Sequence, residues 1–290
     1  MNKFLIILFS LVWFTSNCQS IGSKRIEKLN KAVVRVLVNN SSFGTGFFIS
    51  PTGLLATANH VVQPAFIRDK KTNNVIGVKT IKIEFKDGEI MEMGVVDSFL
   101  GNSYLEGLTG DFILLAPKKD TPRKFEYLKL GMWEDVKEGE TVYTAGFPFG
   151  IKQRVVTVGI LSTKFKRDVP TVTLGKTTNF KKDAAWLDMT LNAGNSGGPI
   201  IKLGKNHKKD VVIGIASFNL NPYAQRSGFF SKVYLEVSKG LKPNQMNADR
   251  ALGFLFESVA QNSLGISGAV TIDYLALRLR QQNLVRQELN

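Results

Sequence analysis

The sequence predicts an all-β protein built from two antiparallel barrels, followed by a short helical C-terminal tail. Short strand-like runs bounded by turn residues occur in two closely spaced series, with almost no helical periodicity in either. A stretch rich in proline and charge separates the two series. Closely spaced strands without intervening helices are typical of antiparallel sheets that pack or close into barrels.

The composition is that of a folded protein, and the net charge limits the classes of possible partner in part. Of the 290 residues, 43% are hydrophobic and 21% are charged, which excludes a disordered protein. Lysine and arginine number 38 against 24 acidic residues, a net charge of +14. Such a charge suits nucleic acid, anionic envelope polymers or acidic substrates. We expect no nucleic-acid partner because no recognition motif accompanies the charge, whereas an anionic envelope surface remains open.

The first 18 residues have the features of an export signal. Lys3 supplies the positive end, and the mainly apolar run 4–14 is too short to span a bilayer as a helix, which needs about 20 residues. Ser16 and Cys18 are small residues ahead of a cut after Cys18, and lipidation of Cys18 is the alternative. We therefore expect a periplasmic or secreted protein. Cys18 is the single cysteine, so no intrachain disulfide is expected.

The first strand series defines a barrel domain over residues 22–118. Residues 21–31 ahead of the strands are charged and have helical character at their end. The strands that follow are predicted at residues 32–38, 46–50, 54–58, 75–85, 90–97 and 112–116. The segment 117–124, with the sequence PKKDTPRK, breaks this series, and we place a linker at residues 119–137.

The second series predicts a barrel over residues 138–235. Its strands are expected at residues 141–145, 154–163, 171–174, 184–189, 199–201, 211–217 and 229–233, with lysine-rich loops at 164–167, 176–182 and 202–209. Residues 247–262 and 272–289 carry apolar residues at helical spacing. We therefore predict a helical tail over residues 236–290, packed on the barrels or, as the alternative, forming a trimer contact.

The sharpest motif is GNSGGP at residues 194–199, which stands between an apolar run and the pair Ile200-Ile201. A serine nucleophile needs an exposed hydroxyl on a tight turn whose backbone N–H groups can face a developing oxyanion, and glycines permit that geometry. Alone, the motif is more typical of a glycine-rich hairpin turn. The assignment of Ser196 therefore depends on its companions.

The chain contains two histidines, which makes the search for a general base short. His207 lies in the lysine-dense segment 202–210, where we expect an exposed loop. His60 instead closes a hairpin of two apolar strands, although a structural histidine fits there as well. Asp111 precedes an apolar strand, where a partly buried carboxylate requires a partner and could orient an imidazole. Its rivals lie in more polar stretches and are Asp87, Asp97 and Asp120.

Together these motifs resemble the trypsin-like, chymotrypsin-fold serine proteases, and most closely their HtrA/Deg-type branch. Residues 44–62 are similar to the histidine hairpin of that family, residues 110–115 to its aspartate strand and residues 187–199 to its serine loop. The segment 146–162, with GFPFG and then VTVGILS, is also similar. The order His, Asp, Ser agrees. The resemblance covers roughly residues 32–234 and implies two six-stranded β-barrels and serine endopeptidase activity.

The resemblance also implies a role for each site residue. Ser196 would attack the scissile carbonyl, His60 would take its proton and Asp111 would orient the imidazolium. The N–H groups of Gly194 and Ser196 would form the oxyanion hole. The specificity pocket would have Thr190 at its floor, and an extended peptide would bind the segment formed by Ser217, Phe218 and Asn219. Since Thr190 is not acidic, we expect uncharged side chains in the pocket, a preference that the nearby Asp188 could alter.

The chain departs from the family in two respects. Asn195 stands where zymogen-forming members have an acid, so that activation switch is absent. The tail 236–290 is too short for the PDZ domain that HtrA-type enzymes usually append.

The leading hypothesis is a serine endopeptidase that acts on unfolded or exposed protein segments through an acyl-enzyme, with protein or peptide substrates as partners. It would need no metal or cofactor, and a homo-oligomer such as a trimer stays open. The alternative is a peptide-binding or chaperone-like protein with little turnover.

Overall fold

The computed structural model describes residues 21–72, 75–96, 111–173, 176–219 and 266–271. Within these ranges the strands form two closed six-stranded antiparallel barrels and one small two-stranded sheet. The predicted fold class, all-β with two antiparallel barrels, is confirmed. No helix in the described ranges has both the length and the apolar composition needed to cross a bilayer.

The first barrel follows an N-terminal helix that packs on it through Leu29 and Ala32. In chain order the elements are α1 (Ser23–Ala32), β1 (Val33–Val38), β2 (Ser41–Phe48), β3 (Leu55–Thr57), α2 (Asn59–Val62), β4 (Phe66–Arg68), β5 (Val75–Val78), β6 (Ile81–Glu84), β7 (Ile90–Val95) and β8 (Ile113–Pro117). The barrel order is β1-β2-β3-β8-β7-β6, closed by the pairing of β6 with β1. Every residue of β1 is buried because the barrel lies on one side and packed elements lie on the other.

The predicted strand 75–85 is in fact two strands. β5 pairs with β4 in the two-stranded sheet, whereas β6 pairs with β1 and β7 in the barrel. The chain therefore changes sheet between Val78 and Ile81. A single strand-like run in the sequence does not reveal such a change of partner.

The second barrel contains a hairpin much longer than the sequence suggested. Its strands are β9 (Thr141–Gly146), β10 (Val155–Thr173), β11 (Lys176–Asp188), β12 (Pro199–Lys202), β13 (Val211–Asn219) and β14 (Ile266–Thr271). β10 and β11 pair from Ile160 and Asp188 to Thr173 and Lys176. The predicted loops 164–167 and 176–182 therefore lie in strands, because cross-strand pairing continues through them.

The second barrel is closed by a strand from the predicted helical tail. β14 pairs with β11 on one side and with β13 on the other, and its residue Ala269 is 3% exposed. The second barrel therefore includes a strand that lies beyond its predicted end at residue 235. A six-residue strand of small and β-branched residues gives little local signal beside longer segments with helical spacing. The predicted strand 229–233 and the predicted helices 247–262 and 272–289 lie outside the described residues.

The linker 119–137 contacts the hydrophobic cores of both barrels. Phe125 and Leu128 are buried in the cluster centred on the first barrel, and Trp133 and Val136 in the cluster of the second. The extended linker is thus packed on both sides of the boundary between the barrels. Its side chains help to fix the relative position of the two barrels, and with it the geometry of any site between them.

Candidate active site

His60 and Asp111 are adjacent because of strand pairing in the first barrel. β3 runs antiparallel to β8, with Thr57 opposite Ile113, so residues just after β3 meet residues just before β8. His60 lies in the first turn of α2, directly beyond β3, and the N–H of Asn59 donates to the Asp111 carbonyl at 3.2 Å. Asp111 has φ +50°, a left-handed conformation that aspartate tolerates better than most residues.

The Asp111 carboxylate binds the imidazole of His60 directly. Nδ1 of His60 lies 2.8 Å from Oδ2 and 3.0 Å from Oδ1, and the backbone N–H of His60 donates to Oδ1 at 3.1 Å. The hydroxyl of Ser217, from the second barrel, also donates to Oδ2. An ionised carboxylate is an acceptor, so it places the proton of a neutral imidazole on Nδ1 and leaves Nε2 free to accept one. With the His60 side chain 42% exposed, this is the tautomer and access that a general base needs.

The rival residues do not join this pair. Asp87 accepts the N–H of Glu89 at 3.0 Å within its own turn, and Asp120 is exposed. Asp97 lies outside the described residues. His207 was expected to be an exposed loop residue; it lies in a short 3-10 turn and is half-buried, lining a small cavity with Arg25, Tyr143 and Asp210 among others.

The serine loop folds back on itself and lies against the first barrel. The N–H of Asn195 donates to the Asn192 carbonyl at 2.9 Å, and Thr45 donates its N–H to the Ser196 carbonyl at 2.9 Å. Gly197 has φ +84°, and a side chain there would overlap the Thr45 carbonyl and the side chain of Thr57. Glycine at this position therefore permits the close approach that brings the Ser196 loop onto the strands that carry His60.

Ser196 is half-buried, and its hydroxyl makes no hydrogen bond with His60 or any other described residue. Catalytic hydrogen bonds are often long or misaligned in unliganded sites and tighten when substrate binds. The structure thus brings together His60, Asp111 and the loop that carries Ser196. The hydrogen bond between the Ser196 hydroxyl and His60 is not formed.

The proposed oxyanion donors, the N–H groups of Gly194 and Ser196, make no hydrogen bond within the described part of the chain. The N–H groups of Asn195, Gly197 and Gly198 all donate to carbonyls of the chain. Gly194 has φ +98°, which favours glycine. Two such N–H groups, separated by one residue in a partly buried loop, are suited to bind an oxyanion.

The predicted specificity residues fall into three environments. Thr190 is exposed, just beyond the end of β11. Ser217 is half-buried and binds Asp111, a contact that the sequence analysis missed because nothing in the local sequence marks it. Phe218 and Asn219 end β13 and pair with Gly268 and Ser267 of β14, and the contacts of their side chains lie outside the described part of the structure.

Within the described residues, one edge of β13 has no partner strand beside Ser217, Phe218 and Asn219. β12 pairs with β13 as far as Ile215, and Gly197 and Gly198 then bond to Ala216. An extended peptide could add beside residues 217–219 as a further strand.

Comparison with known proteins places these features in one family. A family model described as "Trypsin-like peptidase domain" matches residues 44–215. Serine protease HTRA3 of Rattus norvegicus is 32% identical over 165 residues, which cover 56% of this chain and 30% of that protein. Serine protease HTRA1 of Xenopus tropicalis is 28% identical over 264 residues, covering 88% and 46%. A "Probable periplasmic serine endoprotease DegP-like" of Chlamydia pneumoniae is 28% identical over 183 residues, covering 63% and 29%.

The chain spans less than half the length of each of these relatives. Among solved structures, the HtrA-type protease AlgW with a tripeptide superposes with a TM-score of 0.54 at 20% identity, covering 89% of this chain and 61% of that chain. The structure of AlgW with a decapeptide gives a TM-score of 0.53 at 18% identity, covering 90% and 67%. At this identity the structural likeness supports the shared fold.

Proposed function

The chain belongs to the trypsin-like peptidase family, and on that basis we propose that it is a serine endopeptidase of the HtrA/Deg type whose catalytic residues are Ser196, His60 and Asp111. The observation that carries the proposal is the 2.8 Å contact between Nδ1 of His60 and the Asp111 carboxylate. A histidine so oriented has its second nitrogen available to take a proton from a serine hydroxyl.

The proposed reaction runs through an acyl-enzyme. Ser196 Oγ attacks the scissile carbonyl carbon while His60 Nε2 takes the hydroxyl proton, and the N–H groups of Gly194 and Ser196 bind the resulting oxyanion. Collapse of this intermediate breaks the C–N bond, and the leaving amine receives the proton from His60. Water then attacks the acyl-enzyme with His60 as base, which releases the new carboxylic acid and restores Ser196. Asp111 orients the imidazole and stabilises the imidazolium in both halves of the reaction.

We propose unfolded or exposed protein segments as substrates. Adding a strand to the edge of β13 beside residues 217–219 requires an extended backbone, which a folded protein seldom presents. We propose Thr190 as the floor of the specificity pocket; because this residue is not acidic, uncharged side chains should be preferred. A site of action in the envelope or outside the cell is supported by the signal-like first 18 residues and by the periplasmic description of the DegP-like relative.

A second candidate function is a peptide-binding or chaperone-like protein with little turnover. The observation that favours it is the unmade hydrogen bond between the Ser196 hydroxyl and His60. If that bond did not form with substrate present, the groove would still bind extended peptides through β13. Stable binding of unfolded casein without cleavage would support this second function.

A fluorophosphonate probe tests the leading proposal because an activated serine hydroxyl displaces its fluoride and becomes labelled. We expect labelling of the wild type, none at that site in Ser196→Ala, and a loss on the order of a millionfold in casein cleavage for Ser196→Ala and His60→Ala. His207→Ala is the matched control, since it removes the other histidine and should leave activity intact. Equal labelling of the wild type and Ser196→Ala would refute the proposal.

A further inference from the structure

A buried arginine of the first barrel reaches into the second barrel. Arg35 lies in β1 and is 8% exposed. Its Nη1 pairs with the carboxylate of Glu84, the residue opposite it on β6, and its Nη2 donates to the Gly150 carbonyl at 3.0 Å. The third guanidinium nitrogen, Nε, is buried and has no hydrogen-bond partner among the described residues. The two Nη contacts therefore account for the hydrogen bonding that fixes this guanidinium.

The carbonyl that Arg35 binds belongs to a strained turn, Pro148–Gly150. Phe149 has φ +55°, a left-handed conformation that costs a non-glycine residue about 1–2 kcal/mol and persists where the surroundings enforce it. The Phe149 side chain is 62% exposed, so packing of the ring does not enforce the conformation. Backbone hydrogen bonds of the turn enforce it instead. Among the described residues, the bond from Arg35 is the hydrogen bond to residues 148–150 that comes from the first barrel.

The turn Pro148–Gly150 orients the peptide unit between Ala193 and Gly194 in the serine loop. The N–H of Phe149 donates to the Ala193 carbonyl at 2.5 Å. The Ala193 carbonyl and the Gly194 N–H belong to the same planar trans peptide and point in opposite directions. Fixing the carbonyl therefore fixes the direction of the Gly194 N–H, one of the two proposed oxyanion donors. If this peptide rotated, the donor would leave the oxyanion position.

We propose that Arg35 is a positioning residue for the oxyanion hole, acting on the Gly194 N–H through the turn Pro148–Gly150, and that Glu84 holds its guanidinium in place. The inference rests on the proposed serine endopeptidase function. The ion pair of Arg35 and Glu84 in the first barrel would thus support the reaction of a serine carried by the second barrel.

Arg25 provides a matched comparison. Its guanidinium also binds a carboxylate, that of Asp210 at 2.6 and 3.0 Å, and a backbone carbonyl, that of Gly204 at 2.8 Å. Tyr143 donates to the same carboxylate at 3.0 Å, and burial together with the Asp210 charge raises the pKa of Tyr143, which keeps this donor protonated. The groups that Arg25 binds make no hydrogen bond to residues 193–198 in the described part of the chain. Arg25 thus joins α1 to the loop after β12 without contacting the serine loop.

The test compares Arg35→Met, Arg35→Lys and Arg25→Met in the full-length protein by melting temperature and by the rate of fluorophosphonate labelling, measured well below every melting temperature. Both methionine variants should melt lower, because each removes the cationic partner of a largely buried carboxylate side chain. Arg35→Met should label about 10- to 100-fold more slowly, since the phosphonyl oxygen occupies the oxyanion hole and a displacement near 1 Å is worth about a hundredfold. Arg25→Met should label at the wild-type rate.

Arg35→Lys keeps a positive charge beside Glu84. It therefore allows the test to be made even if the methionine variant does not fold. A single ammonium cannot reproduce the fork that binds Glu84 and the Gly150 carbonyl together, so labelling should again be slower than in the wild type. On a fluorescent peptide taken from a casein cleavage site, kcat should fall while KM stays within about twofold, as expected when stabilisation of the transition state alone is lost.

Wild-type labelling rates in both Arg35 variants would overturn the inference, and so would an equal slowing in Arg25→Met. Absence of labelling in the wild-type protein itself would overturn the proposed function and this inference with it.

Discussion

The two barrels contribute to the candidate site in different ways. His60 and Asp111 are held largely by the backbone of the first barrel, through the bond from Asn59 to the Asp111 carbonyl at 3.2 Å and the bond from His60 to its carboxylate at 3.1 Å. The serine loop belongs to the second barrel but depends on the first. Thr45 donates its N–H to the Ser196 carbonyl at 2.9 Å and its hydroxyl to the Gly194 carbonyl at 2.7 Å.

The histidine half of the site, His60 and Asp111, is close to self-supporting, because contacts within the first barrel hold most of it in place. The serine half, the loop that carries Ser196, is instead shaped by contact between the two barrels. Strand pairing fixes His60 against Asp111, since β3 and β8 are neighbours in one sheet. The serine loop lies between β11 and β12. Gly197 and Gly198 bond to Ala216 of β13 in its own barrel, but the carbonyls of Gly194 and Ser196 accept from Thr45 of the first barrel. We therefore expect substitutions buried in the first barrel to alter chemistry at Ser196.

Among the substitutions that compare the two halves, the largest expected effect is that of Asp111→Asn, which tests the histidine half. Asp111→Asn should lower kcat by about 10⁴-fold, because an amide can donate to Nδ1 and so favours the tautomer in which Nε2 cannot accept a proton. The melting temperature should change little, since the side chain keeps its shape. Kinetics on a casein-derived peptide, with Asp87→Asn as control, measure this. Retention of most of the activity in Asp111→Asn would assign the carboxylate role elsewhere.

The next effect concerns closure of the second barrel. Ala269→Asp places an unpaired charge at a position that is 3% exposed in β14 and should lower the free energy of unfolding by about 3–5 kcal/mol. Ile76→Asp, at a 66% exposed position of β5, is the matched control and should cost far less. Urea unfolding of both variants gives the comparison. Similar free energies would contradict a barrel that residues 266–271 complete.

A smaller effect tests how the serine half depends on the first barrel. The Thr45 hydroxyl also accepts the N–H of Phe147 at 3.2 Å, so Thr45→Val leaves that N–H and the Gly194 carbonyl without a partner. Each unsatisfied buried group is worth about 1–3 kcal/mol, and we expect kcat to fall by up to about a hundredfold. Thr45→Ser retains the hydroxyl and should restore most of the rate. If both variants lost activity equally, the methyl group rather than the hydroxyl would be responsible.

The smallest expected effect tests what the second barrel contributes to the histidine half. Ser217→Ala removes one donor from the Asp111 carboxylate but leaves both contacts from His60, so kcat should fall by only about tenfold, as expected for one hydrogen bond to a charged group. Ser217→Thr retains a hydroxyl and serves as the control. A loss in Ser217→Ala as large as that in Asp111→Asn would mean that the histidine half is not self-supporting.

Local patterns in the sequence were enough to predict the all-β class, two barrels and the segments that carry the site. Alternating apolar runs mark strands, and the glycines around Ser196 mark a loop with unusual backbone geometry, since both signals come from residues close together in the chain. His60 emerged because the chain has few histidines. These properties belong to the sequence alone, and they led to residues that the fold brings together.

The tertiary structure decided which distant segments complete each unit. β14 closes the second barrel from far along the chain, Ser217 binds Asp111, and Arg35 reaches the Gly150 carbonyl. A buried polar group must find a partner, but the sequence does not state which one, because strand order and barrel packing bring the partner into reach. Short strands and single polar side chains carry too little local pattern to reveal such long-range contacts.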